Sequence, residues 1–364
     1  MKVGILGGGQ LGRMLALSGY QLGIQFRFFD PSSGAPVGQI GELVAAPYDD
    51  HKALERFLDG LDVVTYEFES IPLDAVRFVA ERVQVYPPLA ALETAQDRLL
   101  EKALFRDLGI PVPAFAPVNS AEDLREAALG IGFPVVLKTR RMGYDGKGQM
   151  VMRDESSLAG AWQRIGASPL IVEECVTFQH EFSVIGARDR SGRHGFYPLA
   201  ENVHRDGILR TTTAPAPHAS EEMRERAVGY CRSIMERFDY VGVLALELFS
   251  VGGKLLANEI APRVHNSGHW TIEGAETSQF ENHLRAILSL PLGSTAPRGW
   301  SAMVNIVGDI PPRADVLSVE GSHLHLYGKA PTERRKVGHV TLLRDSAEAV
   351  KEGVAALSRA LRAG

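Results

Sequence analysis

Glu247 and Glu259 are the two residues most able to do chemistry. They lie in LALELFSVGGKLLANEIAPRVHNSGHW, residues 244–270. This stretch reads as strand, Gly-Gly turn, strand and polar loop. An apolar strand rarely carries a carboxylate inward without a partner. Two carboxylates about 5 Å apart repel by roughly 3 kcal/mol at an effective dielectric of ~20. A divalent cation would reverse that sign, and an oxygen-only ligand set suits magnesium. Register is the condition. A two-residue Gly252-Gly253 turn with regular strands pairs Glu247 with Asn258 and turns Glu259 to the other face. A three-residue loop or a single bulge brings Glu247 opposite Glu259. The alternative is an ordinary hairpin with its carboxylates in water.

Upstream, the strand FPVVLK ends in Lys138 and is followed by TRRMGYDGKGQ. Gly143, Gly146 and Gly148 alternate there with Tyr144, Asp145, Lys147 and Gln149. Gly148 follows Lys147 where a Walker A loop would have Ser or Thr. A strand lysine and a glycine-rich basic hairpin still suit phosphates, through a point charge and folded backbone amides. The strand SPLIVEECV ends in Glu173, Glu174, Cys175 and Val176. Its edge can present backbone groups to an adenine, with Glu181 in reach of ribose hydroxyls. In DVVTYEFES (62–70), Glu67 stands at the carboxyl end of a strand, where open α/β sheets bind ligands. His204 lies near a turn, a place where a lone histidine is more often structural.

The elements that must hold these residues follow from pattern. KVGIL, GGGQLG and a helical run form a Rossmann-like start, and Asp30 ends the next strand, FRFFD. A strand VQVYP (83–87) and Pro87-Pro88 close this first unit. Strand and hairpin patterns interleaved with helices at about 121–129, 156–165 and 220–238 make the middle. Three strands and a helix over about 346–362 make a small β-rich end. The expected fold class is therefore α/β, in part α+β. Its 364 residues, 45% hydrophobic and 23% charged, allow two or three domains. A net charge of −5 suggests no nucleic-acid or membrane surface. Two cysteines without a CxxC spacing fit a reducing compartment. Residues 1–14 read as a strand and turn rather than a leader, and no apolar run approaches the ~18 residues of a membrane span. A soluble, cytoplasmic chain is the expectation.

The order of these features resembles the ATP-grasp superfamily. The carriers are GGGQLGRM, K-x(4)-GYDGKGQ, EECV followed by Glu181, and NEIAPRVHNSGHWTIEGAETSQFENHLRA. More narrowly, the chain resembles the N5-carboxyaminoimidazole ribonucleotide synthetases, also called the phosphoribosylaminoimidazole carboxylase ATPase subunits, over essentially its whole length. The resemblance implies a Rossmann-like pre-ATP-grasp domain at 1–97, an ATP-grasp domain at 98–300 with a lid at about 115–180, and a β-rich C-terminal domain at 301–364. It implies an ATP- and magnesium-dependent ligase of purine synthesis, typically a homodimer. Its substrates would be bicarbonate and 5-aminoimidazole ribonucleotide, joined through carboxyphosphate.

Carried over by residue, Arg98 and Lys138 would meet nucleotide phosphates, and Gly143 to Gln149, including Tyr144, Asp145, Gly146, Lys147 and Gly148, would form the lid loop. Glu173, Glu174, Cys175 and Val176 would hold adenine, Glu181 the ribose, and His204 would line the nucleotide site. Glu247 and Glu259 would ligate magnesium beside Asn258. Substrate contacts would come from Glu67, Tyr144, Asp145, Lys147, Arg263, His265, Asn266, Ser267, Lys329 and Arg335. The chemical step would fall to Arg263, His265, Asn266 and Lys147.

One departure stands out. Many family members read R-P-G-R-K before V-G-H, whereas here the stretch is Thr332-Glu333-Arg334-Arg335-Lys336. The Pro-Gly turn is absent, leaving open whether Arg335 or Lys336 meets the substrate phosphate. The competing functions are another ATP-grasp ligase, such as a formate-dependent glycinamide ribonucleotide transformylase, an NAD-linked oxidoreductase built on GGGQLG, and a non-catalytic nucleotide sensor. The Tyr144-Asp145 lid and the HNSGHW loop disfavour the first. The oxidoreductase leaves Lys138 and both carboxylates unexplained, and a sensor need not retain them.

Overall fold

Three sheets position the site in a computed structural model that describes residues 1–141, 143, 148–166 and 169–361. The first is parallel, in the spatial order Glu42–Ala45, Gln25–Asp30, Lys2–Leu6, Val63–Tyr66. Its central strands are mostly apolar and buried, with Arg27 the charged exception inside Gln25–Asp30. The strand expected over 62–70 is shorter, spanning Val63–Tyr66. VQVYP contributes only a single parallel bridge, Val64 to Val85, rather than a full strand.

The second sheet is antiparallel and small: Phe115–Val118, Leu170–Glu174, Val135–Thr139, Gln149–Met152. It carries Lys138 and Glu173. The third has nine strands. Lys254–Ala261 lies at one edge, followed by Gly242–Val251, His180–Arg188, Ala200–Arg205 and Ile208–Ala214. The C-terminal strands continue this sheet, because Trp300–Val307 pairs with Ile208–Ala214. The β-rich end is thus hydrogen-bonded into the middle region.

A shared core ties the regions together. Leu11 and Leu15 of the helix Gln10–Tyr20 belong to the same buried cluster as Phe280, Leu284 and Met303. His283 adds a polar pin. Its Nδ1 accepts from the Val243 amide at 3.1 Å, which leaves Nε2 to donate to Thr65 Oγ1 at 2.8 Å. Burial pushes its pKa down to about 3, in keeping with a neutral ring.

Candidate active site

The carboxylate hairpin resolves the question of register. Gly252 and Gly253 form a two-residue turn, with φ of 56° and 80°, and Val251 pairs with Lys254 across it. Both angles lie in the left-handed region that glycine adopts at little cost. A bulge then intervenes: Leu248 pairs with Ala257, but Glu247 pairs with Glu259, so Asn258 is the extra residue. The bulge brings the carboxylates opposite one another. Burial and then the Glu259 charge raise the pKa of Glu247. Lys102 holds the bulge open by donating from Nζ to the Asn258 carbonyl at 2.7 Å.

His265 faces this pair. Its Nδ1 lies 2.8 Å from Ser267 Oγ and accepts from the Ser267 amide, and its Nε2 is 3.7 Å from Glu247. Burial, then Arg263 and Lys336, lower its pKa well below the usual imidazole value. Arg263 is held by Glu69 at 2.6 Å. Asn266 exchanges two hydrogen bonds with Asn305, at 3.1 and 2.7 Å, fixing the loop to the C-terminal strand.

The phosphate side is a buried charge network. Lys138 meets Glu173 at 3.0 Å, and Lys102 meets the same oxygen at 3.5 Å. Burial would raise the Glu173 pKa, but Lys102 and Lys138 outweigh it and hold it low. Arg98 donates to the carbonyls of Thr139, at 2.9 Å, and Gly143, at 3.3 Å. Asp97 caps the helix Arg98–Asp107 through the Leu99 amide and grips Arg140 with both oxygens. At the sugar end, His204 Nδ1 and Glu181 Oε2 form an ion pair. Burial opposes charge on His204, but Glu181 and Glu247 prevail and raise its pKa. Phe178 and Phe249 stack at 4.7 Å and 10° on the wall.

One cavity of about 1560 Å³ collects these groups. Among the expected residues it is lined by Arg98, Lys138, Gly143, Gln149, Glu173, Glu174, Cys175, Val176, Glu181 and His204 from the nucleotide set. Glu247, Asn258, Glu259, Arg263, His265, Asn266, Lys329 and Arg335 line it too. Tyr144, Asp145, Gly146 and Lys147 lie outside the described residues. Gly148 has φ of 68° and its carbonyl accepts from the Thr139 amide, closing the hairpin next to the cavity.

Three expectations change. Glu67 is buried and turned away from the cavity, because its oxygens accept from the amides of Gly9 and Gly12. Asp30 likewise accepts from Gly8 at 2.8 Å. The glycine loop therefore binds protein carboxylates where a dinucleotide would place pyrophosphate, which removes the oxidoreductase reading. Ser267 is wholly buried behind His265, and its hydroxyl lies 2.8 Å from that ring's Nδ1. The Glu173 side chain is engaged by Lys102 and Lys138.

Sequence reasoning gave no role to Lys102, Glu101 and Glu69, all of which line the cavity, as does Lys336, the alternative to Arg335. The signal for Lys102 and Glu101 was present, as adjacent charges on the helix after Asp97. The absent Pro-Gly turn is replaced in kind. Arg334 adopts φ of 64°, Arg335 N donates to the Thr332 carbonyl at 3.0 Å, and Arg334 Nη2 donates to Asp206 O at 2.9 Å. A non-glycine residue there costs about 1 kcal/mol.

Comparison with known proteins agrees with this geometry. Residues 103–280 match the ATP-grasp domain, 1–96 the ribonucleotide synthetase preATP-grasp domain, and 301–353 the phosphoribosylaminoimidazole carboxylase C-terminal domain. The fold and site define an ATP-grasp enzyme, an ATP-dependent ligase. An N5-carboxyaminoimidazole ribonucleotide synthase of Pseudomonas aeruginosa is 53% identical over 94% of both chains. The N5-carboxyaminoimidazole ribonucleotide synthetase structure from Thermus thermophilus is 58% identical, with a TM-score of 0.96 over 99% of this chain and 98% of that one. An Aspergillus clavatus synthase, solved with ADP and 5-aminoimidazole ribonucleotide, is 32% identical, with a TM-score of 0.92 over 100% of this chain and 99% of that one. The chain belongs to the N5-carboxyaminoimidazole ribonucleotide synthase family.

Proposed function

We propose that this protein carboxylates 5-aminoimidazole ribonucleotide to N5-carboxyaminoimidazole ribonucleotide, using ATP and bicarbonate through carboxyphosphate. The carrying observation is the bulge that sets Glu247 against Glu259 at the head of a loop bearing Arg263, His265 and Asn266. Magnesium fits there on the donor set: two carboxylates set opposite one another, one of them largely buried. When bound, it would neutralise charge on the transferred phosphoryl oxygens.

The remaining work falls to the protein's own groups. Lys138 and Lys102, steered by Glu173, present charge to the polyphosphate. Arg98 and a lid loop from Gly143 to Gln149 would close over it, the parts of Tyr144, Asp145, Gly146, Lys147 and Gly148 in that lid resting on the family resemblance. Glu174, Cys175 and Val176 border the adenine, Glu181 and His204 the ribose. Carboxyphosphate hydrolyses readily, so a lid that excludes water is required. Arg263, held by Glu69, offers a fixed guanidinium to the developing anion, and neutral His265 directs Nε2–H toward the same point. Lys329 and Arg335 supply a separate cationic patch for the ribonucleotide phosphate.

The same reading keeps the division at 1–97, 98–300 and 301–364, and a cytoplasmic homodimer. No described helix is long and apolar enough to cross a membrane. The test is phosphate release from ATP. It should require magnesium and rise sharply with bicarbonate and 5-aminoimidazole ribonucleotide together. Equal stimulation by glycinamide ribonucleotide would contradict the assignment and favour the transformylase.

A further inference from the structure

A second cluster of donors lies on the opposite face of the nine-stranded sheet. Glu201 pairs with Phe182, and Asn202 pairs with Glu181. Side chains alternate along a strand, so Glu201, Phe182 and His180 share one face, while Glu181 looks into the nucleotide cavity. His218 reaches the same spot from the segment before the helix Glu221–Arg237.

The three side chains converge closely. His180 Nδ1 is 3.0 Å from Glu201 Oε1, and His218 Nδ1 is 2.9 and 3.0 Å from the two Glu201 oxygens. One donor atom from each residue lies within 4.8 Å of the others. The two imidazoles stack at 4.5 Å and 16°. The His218 amide also donates to Glu201 at 3.2 Å, which anchors the carboxylate. None of the three lines the cavity of the active site.

We propose that His180, Glu201 and His218 bind a borderline transition-metal dication, with zinc as the type. Two imidazole nitrogens and one carboxylate oxygen form a donor set that zinc takes and magnesium does not prefer. Zinc bonds of ~2.0–2.2 Å place neighbouring ligand atoms about 3 Å apart or slightly more, close to the distance of each imidazole nitrogen from Glu201. The strands and the start of the helix hold the donors in place. His218 is 60% exposed, so water can reach the remaining coordination positions. Binding exchanges the Nδ1 protons for the ion, as ligation of neutral imidazole requires. The ion would then clamp two neighbouring strands and the helix start, behind the Glu181 and His204 pair.

Equilibrium dialysis against micromolar zinc, with millimolar magnesium present to compete at Glu247 and Glu259, tests the site. One equivalent of zinc is expected on the wild-type chain. His180→Ala and His218→Ala should each weaken it by at least about tenfold. Glu247→Gln should leave it unchanged. His218→Gln, which keeps a polar group beside Glu201, should also lose zinc while retaining the wild-type unfolding temperature in chelator. No zinc on the wild-type chain, zinc retained in both alanine variants, or zinc lost in Glu247→Gln would each overturn the proposal.

Discussion

Two carboxylate arrangements in this molecule find different partners. In the N-terminal region, Glu67 accepts from the amides of Gly9 and Gly12 at a helix start. Burial raises its pKa, and the two amides at the positive end of a helix pull against that rise. In the hairpin, Glu247 and Glu259 face each other across a bulge. Burial and mutual repulsion raise the pKa of Glu247. The first arrangement is complete in the folded chain, and the second calls for a cation. A carboxylate in an apolar strand therefore identifies a site only when its neighbours fail to satisfy it.

The contrast can be broken in several places. Glu259→Gln should lower turnover by about 10³-fold, several kcal/mol of lost charge neutralisation, with the fold retained. Steady-state rates at saturating magnesium and ATP check this; near-normal turnover would remove the hairpin from the chemistry. Glu173→Gln tests an intermediate case, a buried carboxylate satisfied by Lys102 and Lys138. It should cost on the order of 3 kcal/mol in denaturant unfolding, because two buried ammonium groups lose their counter-ion. Glu67→Gln should cost about 2 kcal/mol, since its amide nitrogen cannot accept from a backbone N–H, yet the KM for ATP should not move. Arg335→Ala should raise the KM for the ribonucleotide about tenfold, about 1.4 kcal/mol, and leave that for ATP unchanged. An effect on ATP would overturn the role given to Arg335.

The sequence made much of the site legible because its signals were chemical misfits. Glu247 in an apolar strand, Lys138 before a glycine-rich loop and the HNSGHW run each stood out. Register was legible only as a condition, since Gly252-Gly253 permits either loop length and a bulge at Asn258 leaves no mark in the sequence. Glu67 misled for a physical reason. The strand ends at Tyr66, so strand alternation no longer governs residues 67–70, and Glu69 reaches Arg263 while Glu67 folds back onto the glycine loop. Lys102 was hidden because a helical lysine ordinarily lies in water, and its burial depends on Glu173 and Asn258, 71 and 156 residues away respectively. The continuous sheet through Trp300–Val307 was illegible because strand partners far apart in sequence leave no local trace.

The most direct test of this contrast is the stability of the metal-free protein. Wild type, Glu247→Gln and Glu67→Gln should be unfolded side by side in chelator. Removing a repelling charge should leave Glu247→Gln more stable than wild type by roughly 1–3 kcal/mol, and Glu67→Gln less stable. A destabilised Glu247→Gln would mean that the hairpin carboxylates are already satisfied within the fold, and that they do not form a cation site.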